Sequence, residues 1–304
     1  MRATGISPTD TDHLEKRGFT RLHHIVLGLT TLDLKTYLDA SNSDIDDQDY
    51  AGKTPLCWAA SRPDTNTVKI LLDYGANPVL GDRRGQTPLH YCAGSGTAES
   101  LALVAEEIVK CARRASSLSM ASSTGTADLN TGLYVDVKDI KGRTPLNFAV
   151  RMNFHKHTEV LLKYGAALEM RDSTSPHRTP LLHAVYWNSH NILPLLLQAG
   201  CDITYVDGDG YSLLHYAAKF GDYQTLRILS QSLNGKLDIE KRNKDGQTAL
   251  DVFAAGNGRC VCEDAAAGAR SRKVFEALLA NLSPPMCGCI DQDDESDSAI
   301  ALSG

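Results

Sequence analysis

A tripeptide of the form Thr/Ser-x-Leu recurs at Thr54, Thr87, Thr144, Thr179, Ser212 and Thr248, and a weaker copy begins at Thr20. The intervals from Thr20 onward are 34, 33, 57, 35, 33 and 36 residues, so five of the six lie near one period and the outlier exceeds 33 by 24. Self-similarity at such a period restricts the chain to a solenoid, because each unit is too small to bury its apolar face alone and must stack on its neighbours. The 304 residues, 42% of them hydrophobic, are therefore expected to form one elongated domain instead of the two globular ones that length alone would suggest.

Each anchor has the chemistry of a helix start. Thr before Pro offers its hydroxyl to an orphan backbone N–H, and Pro at the first helical position surrenders no hydrogen bond. The short first helix carries Leu at its second position and small residues a turn later, as in Leu56 with Ala59 and Ala60 or Leu214 with Ala217 and Ala218, which lets helices pack closely. A second helix follows with apolar residues at helical spacing, in Val68, Leu71 and Leu72, in Val160, Leu161 and Leu162, in Ile192, Leu195 and Leu196, and in Leu226, Ile228 and Leu229. Gly75, Gly165 and Gly200 stop it where a left-handed residue is needed. An Asp-x-x-Gly turn then leads to the next anchor, with Gly supplying positive φ and Asp bonding the turn backbone.

In full, the copies read Asp49-Tyr-Ala-Gly52-Lys-Thr-Pro-Leu56-Cys-Trp-Ala-Ala60, Asp82-Arg-Arg-Gly85-Gln-Thr-Pro-Leu-His90-Tyr-Cys-Ala93 and Asp139-Ile-Lys-Gly142-Arg-Thr-Pro-Leu-Asn147-Phe-Ala149. Three more are Arg178-Thr-Pro-Leu-Leu-His183-Ala, Asp207-Gly-Asp-Gly210-Tyr-Ser-Leu-Leu-His215-Tyr-Ala-Ala218 and Asn243-Lys-Asp-Gly246-Gln-Thr-Ala-Leu250-Asp-Val. This pattern resembles the ankyrin repeat over roughly residues 18 to 282, and the copies look most like the ankyrin tracts of filamentous-fungal proteins. The resemblance implies an all-α fold, an ankyrin-repeat solenoid of stacked helix-turn-helix units with short β-turn tips. Units start near residues 18, 49, 82, 139, 172, 207 and 243. It also implies that His90 and His215, at the motif's own His position, bond the anchor hydroxyl and neighbouring backbone. His183 is shifted by one residue, and Cys57, Asn147 and Asp251 replace the His, which leaves that bond in question there.

Departures from the period mark insertions, at residues 97–133 and 256–272. In the first, Glu99 to Arg114 keeps Leu101, Val104, Ile108 and Cys111 on one helical face, so an over-long second helix is expected, followed by a Ser-, Thr- and Gly-rich mobile loop over 115–132. The second separates the two helices of the last unit. One turn is also longer, since Asp172 to Thr179 is a step of 7 where the other Asp/Asn-to-Thr/Ser steps are 5. Residues 1–17 are expected to be a disordered N-terminal segment and 283–304 a disordered tail, whose Asp291, Asp293, Asp294, Glu295 and Asp297 meet no Lys or Arg; without it the formal charge goes from −6 to −1.

Catalytic chemistry finds no place in this pattern. Nearly every residue from 18 to 282 already has a role in a repeat, and the phosphate-loop, His-Glu-x-x-His, Gly-x-Ser-x-Gly and kinase signatures are absent. Neither a catalytic residue nor a cofactor is expected. Cys260-x-Cys262 and Cys287-x-Cys289 could supply four thiolates, but zinc modules use two to four intervening residues, so no metal site is assigned; reactive, lipidated or inert thiols remain as readings. Cys57, Cys92 and Cys201 sit where small buried residues belong. No apolar run resembles a signal peptide or a membrane span, which points to an intracellular protein of the cytoplasm or nucleus.

Binding is what remains. In ankyrin proteins the turn tips and first-helix ends line a concave groove, so the variable positions there are the candidates. The tips contribute Tyr50, Lys53, Arg83, Arg84, Gln86, Lys141, Arg143, Arg178, Tyr211 and Lys244, and the helix ends Arg62, Arg151, Met152, Tyr186, Trp187, Lys219 and Phe220. The inferred groove is basic, with few acids (Asp209 and Asp245) and an aromatic cluster toward units five and six. Trp58 and Phe148, which follow the motif's His position, are expected to stack in the core. Such a surface suits a monomeric scaffold or adaptor that grips another protein. Two alternatives stay open: a regulatory array within a larger multidomain protein, and nucleic-acid binding, which usually needs a denser basic field than a body near neutrality offers.

Overall fold

The computed structural model describes residues 17–41, 43–119, 132–173, 176–233, 237–255 and 265–282. Helices α1 (Arg21–Val26) and α2 (Leu34–Ala40) open the array. The pairs α3 (Pro55–Ala60) with α4 (Thr65–Asp73) and α5 (Pro88–Ser95) with α6 (Ala98–Ser119) follow, and then the single turn α7 (Gly132–Val135). Next come α8 (Pro145–Arg151) with α9 (His155–Lys163), α10 (Pro180–Tyr186) with α11 (Leu193–Gln198), α12 (Leu213–Phe220) with α13 (Tyr223–Ser232), and α14 (Ala249–Ala255) with α15 (Ala265–Leu282). First helices pack in chain order, α1 on α3, α3 on α5, α5 on α8, α8 on α10, α10 on α12 and α12 on α14. Second helices form the other layer, α2 on α4, α4 on α6, α6 on α9, α11 on α13 and α13 on α15. Between the layers runs one apolar core, in which the anchor leucines Leu56, Leu89, Leu146, Leu181 and Leu214 are essentially fully buried. No strand occurs among the described residues; the tips contain a single isolated bridge, Val206 with Ser212.

The anchors behave as their chemistry requires. Thr54, Thr144 and Thr179 accept the backbone N–H three residues on, with Pro at the first helical position. Thr20 also caps its helix although Arg21 stands where the others have Pro. Gly75, Gly165 and Gly200 take φ of +90, +81 and +85 after their second helices.

The tips are joined by one main-chain bond per junction. Tyr50 N–H donates to Arg17 O at 2.8 Å, Arg83 N–H to Ala51 O at 3.1 Å, Ile140 N–H to Arg84 O at 2.9 Å and Ser173 N–H to Lys141 O at 2.8 Å. Gly208 N–H reaches Pro176 O at 2.7 Å and Lys244 N–H reaches Asp209 O at 3.1 Å. At the Gly208 junction the acceptor lies two residues later than the pattern gives elsewhere, because the long turn carries two additional residues. This ladder explains the tip glycines. Gly52 has φ +81, and a Cβ there would lie 2.6 Å from Arg83 N; Gly142, at φ +69, would drive a Cβ into Ser173. Arg17, expected in the N-terminal segment, is part of the stack through its carbonyl.

Two expectations about the insertions need correction. The helix after Gly96 runs on to Ser119, so residues 115–119 are helical instead of belonging to the loop expected over 115–132. In the second insertion, α15 starts at Ala265, so its last eight positions, 265–272, are helix. Ala-rich sequence favours that state, and packing on α13 adds tertiary support. Residues 120–131, the acidic tail and the Cys-x-Cys pairs lie outside the described residues.

Candidate partner-binding groove

The histidine bond spans units. The Nδ1 atom of His90 lies 3.0 Å from Thr87 Oγ1 and Nε2 lies 3.0 Å from Arg143 O, in the next unit. His215 repeats this with Ser212 Oγ at 2.8 Å and Gln247 O at 3.0 Å, and His23 with Thr20 Oγ1 at 2.8 Å and Lys53 O at 3.0 Å. A carbonyl only accepts, so Nε2 carries the proton and donates, and Nδ1 faces the anchor. Burial pushes the His23 and His90 pKa down, which keeps them in this neutral form. Where the His is missing, its replacements diverge. Cys57 sits at long range from Leu80 O, Asp251 accepts the Thr248 N–H and hydroxyl, and both polar atoms of the buried Asn147 amide lack a partner among the described residues.

A second repeating device orders the tips. Each tip Asp is buried, and its Oδ1 accepts backbone N–H groups of its own turn, as Asp49 does from Ala51 and Lys53 and Asp207 from Asp209 and Tyr211. Its Oδ2 takes a donor from the first helix, nine residues on: Trp58 Nε1–H to Asp49 at 3.1 Å, Tyr91 O–H to Asp82 at 2.7 Å, and Tyr216 O–H to Asp207 at 2.7 Å. Burial pushes the Tyr91 and Tyr216 pKa up, and the carboxylates that accept their bonds add to it, so both phenols stay protonated. In unit five, with its longer turn, His183 Nε2 fills the same place at 3.0 Å from Asp172. The shifted His183 therefore substitutes for the aromatic donor, and Leu182 holds the His position. In unit four Phe148 has no donor, and Arg143 turns back instead, its Nε bonding Asp139 Oδ2 at 2.9 Å and its guanidinium stacking 4.6 Å from the Phe148 ring. Burial would raise the Asp139 pKa, but the Arg143 bonds outweigh it and hold it below the ordinary value.

Across units four to six the first-helix ends join into a ladder of rings and cations. Arg151 lies 5.3 Å over Trp187, whose ring meets Tyr186 edge-on at 4.9 Å. Tyr186 then contacts Phe220 at 4.7 Å, and Phe220 contacts Tyr216 at 5.6 Å. Arg178 lies 4.3 Å from the Tyr186 ring and donates from Nε to Tyr216 Oη at 2.8 Å. Lys219 closes the row, 4.7 Å over Tyr211 and 5.5 Å over Phe220. Trp187 caps α10 and stays 46% exposed, so this ladder presents ring surface to solvent.

Units two and three offer a socket instead. A cavity of about 690 Å³ opens between their tips and first helices. The Lys53 ammonium stands 4.3 Å from the Trp58 ring and 4.5 Å from the Tyr91 ring, and Arg17, Arg83 and Arg84 complete the cationic wall.

Comparison with known proteins agrees with this geometry. The family model described as ankyrin repeats (3 copies) matches residues 10–114 and 118–207. The chain belongs to the ankyrin repeat family. B-cell lymphoma 3 protein homolog of Mus musculus is 28% identical over 256 residues, 84% of this chain and 48% of that protein. Inversin of Canis lupus familiaris is 28% identical over 246 residues, 80% of this chain and 19% of its own length. The solved ankyrin repeat domain of Bcl-3 superimposes with TM-score 0.62 at 24% identity, covering 86% of this chain and 99% of that one. The human ASB11 ankyrin repeat domain gives 0.60 at 20%, covering 88% and 100%. The chain thus spans about half or less of the curated relatives it matches. Among the described residues no helix is long and apolar enough to cross a membrane, and no group of three His, Cys, Asp or Glu could hold a metal ion.

Within this ankyrin array, the residues named from sequence separate into groups. Arg151, Arg178, Tyr186, Trp187, Tyr211, Lys219 and Phe220 come together in the ladder, while Arg83 and Arg84 belong to the socket. Arg62 instead donates to Leu27 O at 2.9 Å, Lys141 stands exposed at the unit-four tip, and Met152 is exposed beside Arg151 in the chain. Arg143 is engaged by Asp139, and Gln86, expected at an exposed tip, is buried with its amide 3.4 Å from Asp139. Trp58 and Phe148 are half-buried against the core as stacking residues should be, yet Trp58 also forms the socket wall. Sequence reasoning passed over Tyr91 and Tyr216; the aromatic that recurs directly after the motif's His position was the available signal.

Proposed function

We propose that this chain is a non-enzymatic interaction module that grips a partner protein through the face built from its turn tips and first-helix ends. The observation that carries this reading is the exposed ladder from Arg151 to Lys219. Trp, Tyr and Arg are the residue types that dominate binding energy at interface centres, because large rigid rings lose little entropy on contact and arginine pairs with both rings and carboxylates. Here they are already ordered by one another, so association need not freeze them. The scaffold supports the same reading. The chemistry that recurs from repeat to repeat serves caps, His bridges and tip carboxylates, which leaves the positions that differ between repeats free for a partner. A second reading, an array that regulates a larger protein, is favoured by the short span of the curated relatives that the chain covers.

An unbiased pull-down from cell lysate, with wild type beside a Tyr186→Ala/Trp187→Ala variant, tests the proposal. A protein recovered by wild type and lost by the variant is the expected result. Equal recoveries would remove the ladder as the binding surface.

A further inference from the structure

We infer that the socket between units two and three captures an aspartate or glutamate side chain from an extended acidic segment of a partner protein. This rests on the groove reading above and assigns a chemistry to one part of it. The volume, about 690 Å³, falls within the range of built ligand pockets. Four cations face it, Arg17, Lys53, Arg83 and Arg84, and none is in an ion pair with another described residue. The carboxylates that border it are not available to them. Asp49 accepts from Ala51 N, Lys53 N and Trp58 Nε1, and Asp82 accepts from Arg84 N, Gln86 N and Tyr91 Oη. With four positive charges against two negative ones among the described residues that line it, the socket keeps a surplus of cation and welcomes an anion.

Lys53 gives the site its selectivity. Its ammonium is held between the Trp58 and Tyr91 rings, a contact that attracts the cation yet supplies no hydrogen-bond acceptor of the strength of a carboxylate. The same two rings are themselves fixed by their bonds to Asp49 and Asp82, so the donor is presented in one place. The rings also form an apolar wall for the methylene stem of an incoming acid. A nucleic acid is disfavoured because the repeat body is close to neutral, −1 without the acidic tail, and offers no dense basic field.

The test pans a randomised twelve-residue peptide library, displayed on phage, against the full chain and measures the enriched peptides in solution by fluorescence anisotropy. Expected are peptides with Asp or Glu at a fixed position. Their affinity falls about tenfold on Arg83→Ala/Arg84→Ala and on Lys53→Gln, and changes little on Trp187→Ala. Replacing the fixed acid by its amide should abolish the difference between wild type and the Arg83→Ala/Arg84→Ala variant. Enriched peptides without a fixed acid, or with equal affinity for wild type and that variant, would overturn the inference. Binders lost only on Trp187→Ala would overturn it while leaving the groove reading intact. A twenty-nucleotide oligo(dT) bound as tightly as the peptides, through the same arginines, would also overturn it.

Discussion

The socket of units two and three and the ladder of units four to six are both built from tips and first helices, yet one is a charged recess and the other a ridge of rings. In units two, three and six an aromatic hydroxyl or indole N–H nine residues after the tip Asp satisfies its second carboxylate oxygen, and in unit five His183 fills that place. The difference comes from what the next unit brings. In units two and three the lysine lies between two rings, and the neighbouring Arg83 and Arg84 form no ion pair among the described residues. In units five and six Arg178 is drawn into the network, donating to Tyr216 Oη, which donates to Asp207, and the helix ends add Tyr186, Trp187 and Phe220. A solenoid can thus hold its framework constant and still carry two different surface chemistries.

The tip carboxylates carry the largest expected effect. Asp82→Ala strands two turn N–H groups and the Tyr91 hydroxyl, and a loss of about 3 kcal/mol in urea unfolding is expected. Asp207→Ala strands two turn N–H groups and the Tyr216 hydroxyl, and it removes the acceptor that orients that hydroxyl toward Arg178, so its loss should be the greater of the two. The reverse order would show that Arg178 contributes nothing through Tyr216.

Gly142→Ala probes the boundary between the two regions. Positive φ and the contact with Ser173 leave no room for a Cβ, and a loss of about 2 kcal/mol is expected in the same assay. A neutral result would mean that the tips can separate there, uncoupling socket from ladder. Asn147→His acts in the same unit with the opposite sign. It supplies the missing bridge toward the carbonyl before Thr179 and removes two unpartnered amide atoms, for a gain of about 1 kcal/mol. Destabilisation would show that the pocket around Asn147 has closed too far to admit an imidazole.

Much of this was legible in the sequence because it is repeated. Period, caps, helix pairs and the terminating glycines follow from local chemistry that each copy states again. The two aromatic networks were harder to read. Arg178 and Arg143 both look like solvated turn cations, but one is drawn to Tyr216 and the other to Asp139, and only the three-dimensional approach of tip and helix decides between the two fates. Tyr91 and Lys53 belong to different units, 38 positions apart in the chain, so nothing local pairs them. The helical state of 115–119 was hidden by Ser-rich composition, which local propensity alone assigns to a loop.

A smaller effect concerns pH. His23 and His90 have pKa values lowered by burial, so the unfolded chain takes up protons at these sites first, near its ordinary value of about 6.5. Their contribution to stability is complete above that value and is lost as pH falls from it toward the lowered folded values. Urea midpoints should decline between pH 7 and 5, and His90→Gln should flatten that decline. An unchanged slope would contradict the neutral, bridging state of this ring.

Hydrogen exchange of the full chain, with and without a partner recovered by pull-down, tests the central claim most directly. Binding on the tip and first-helix face predicts new protection across Arg178–Trp187 and Tyr211–Phe220. Protection confined to α9 and α11, on the second-helix layer, would contradict it.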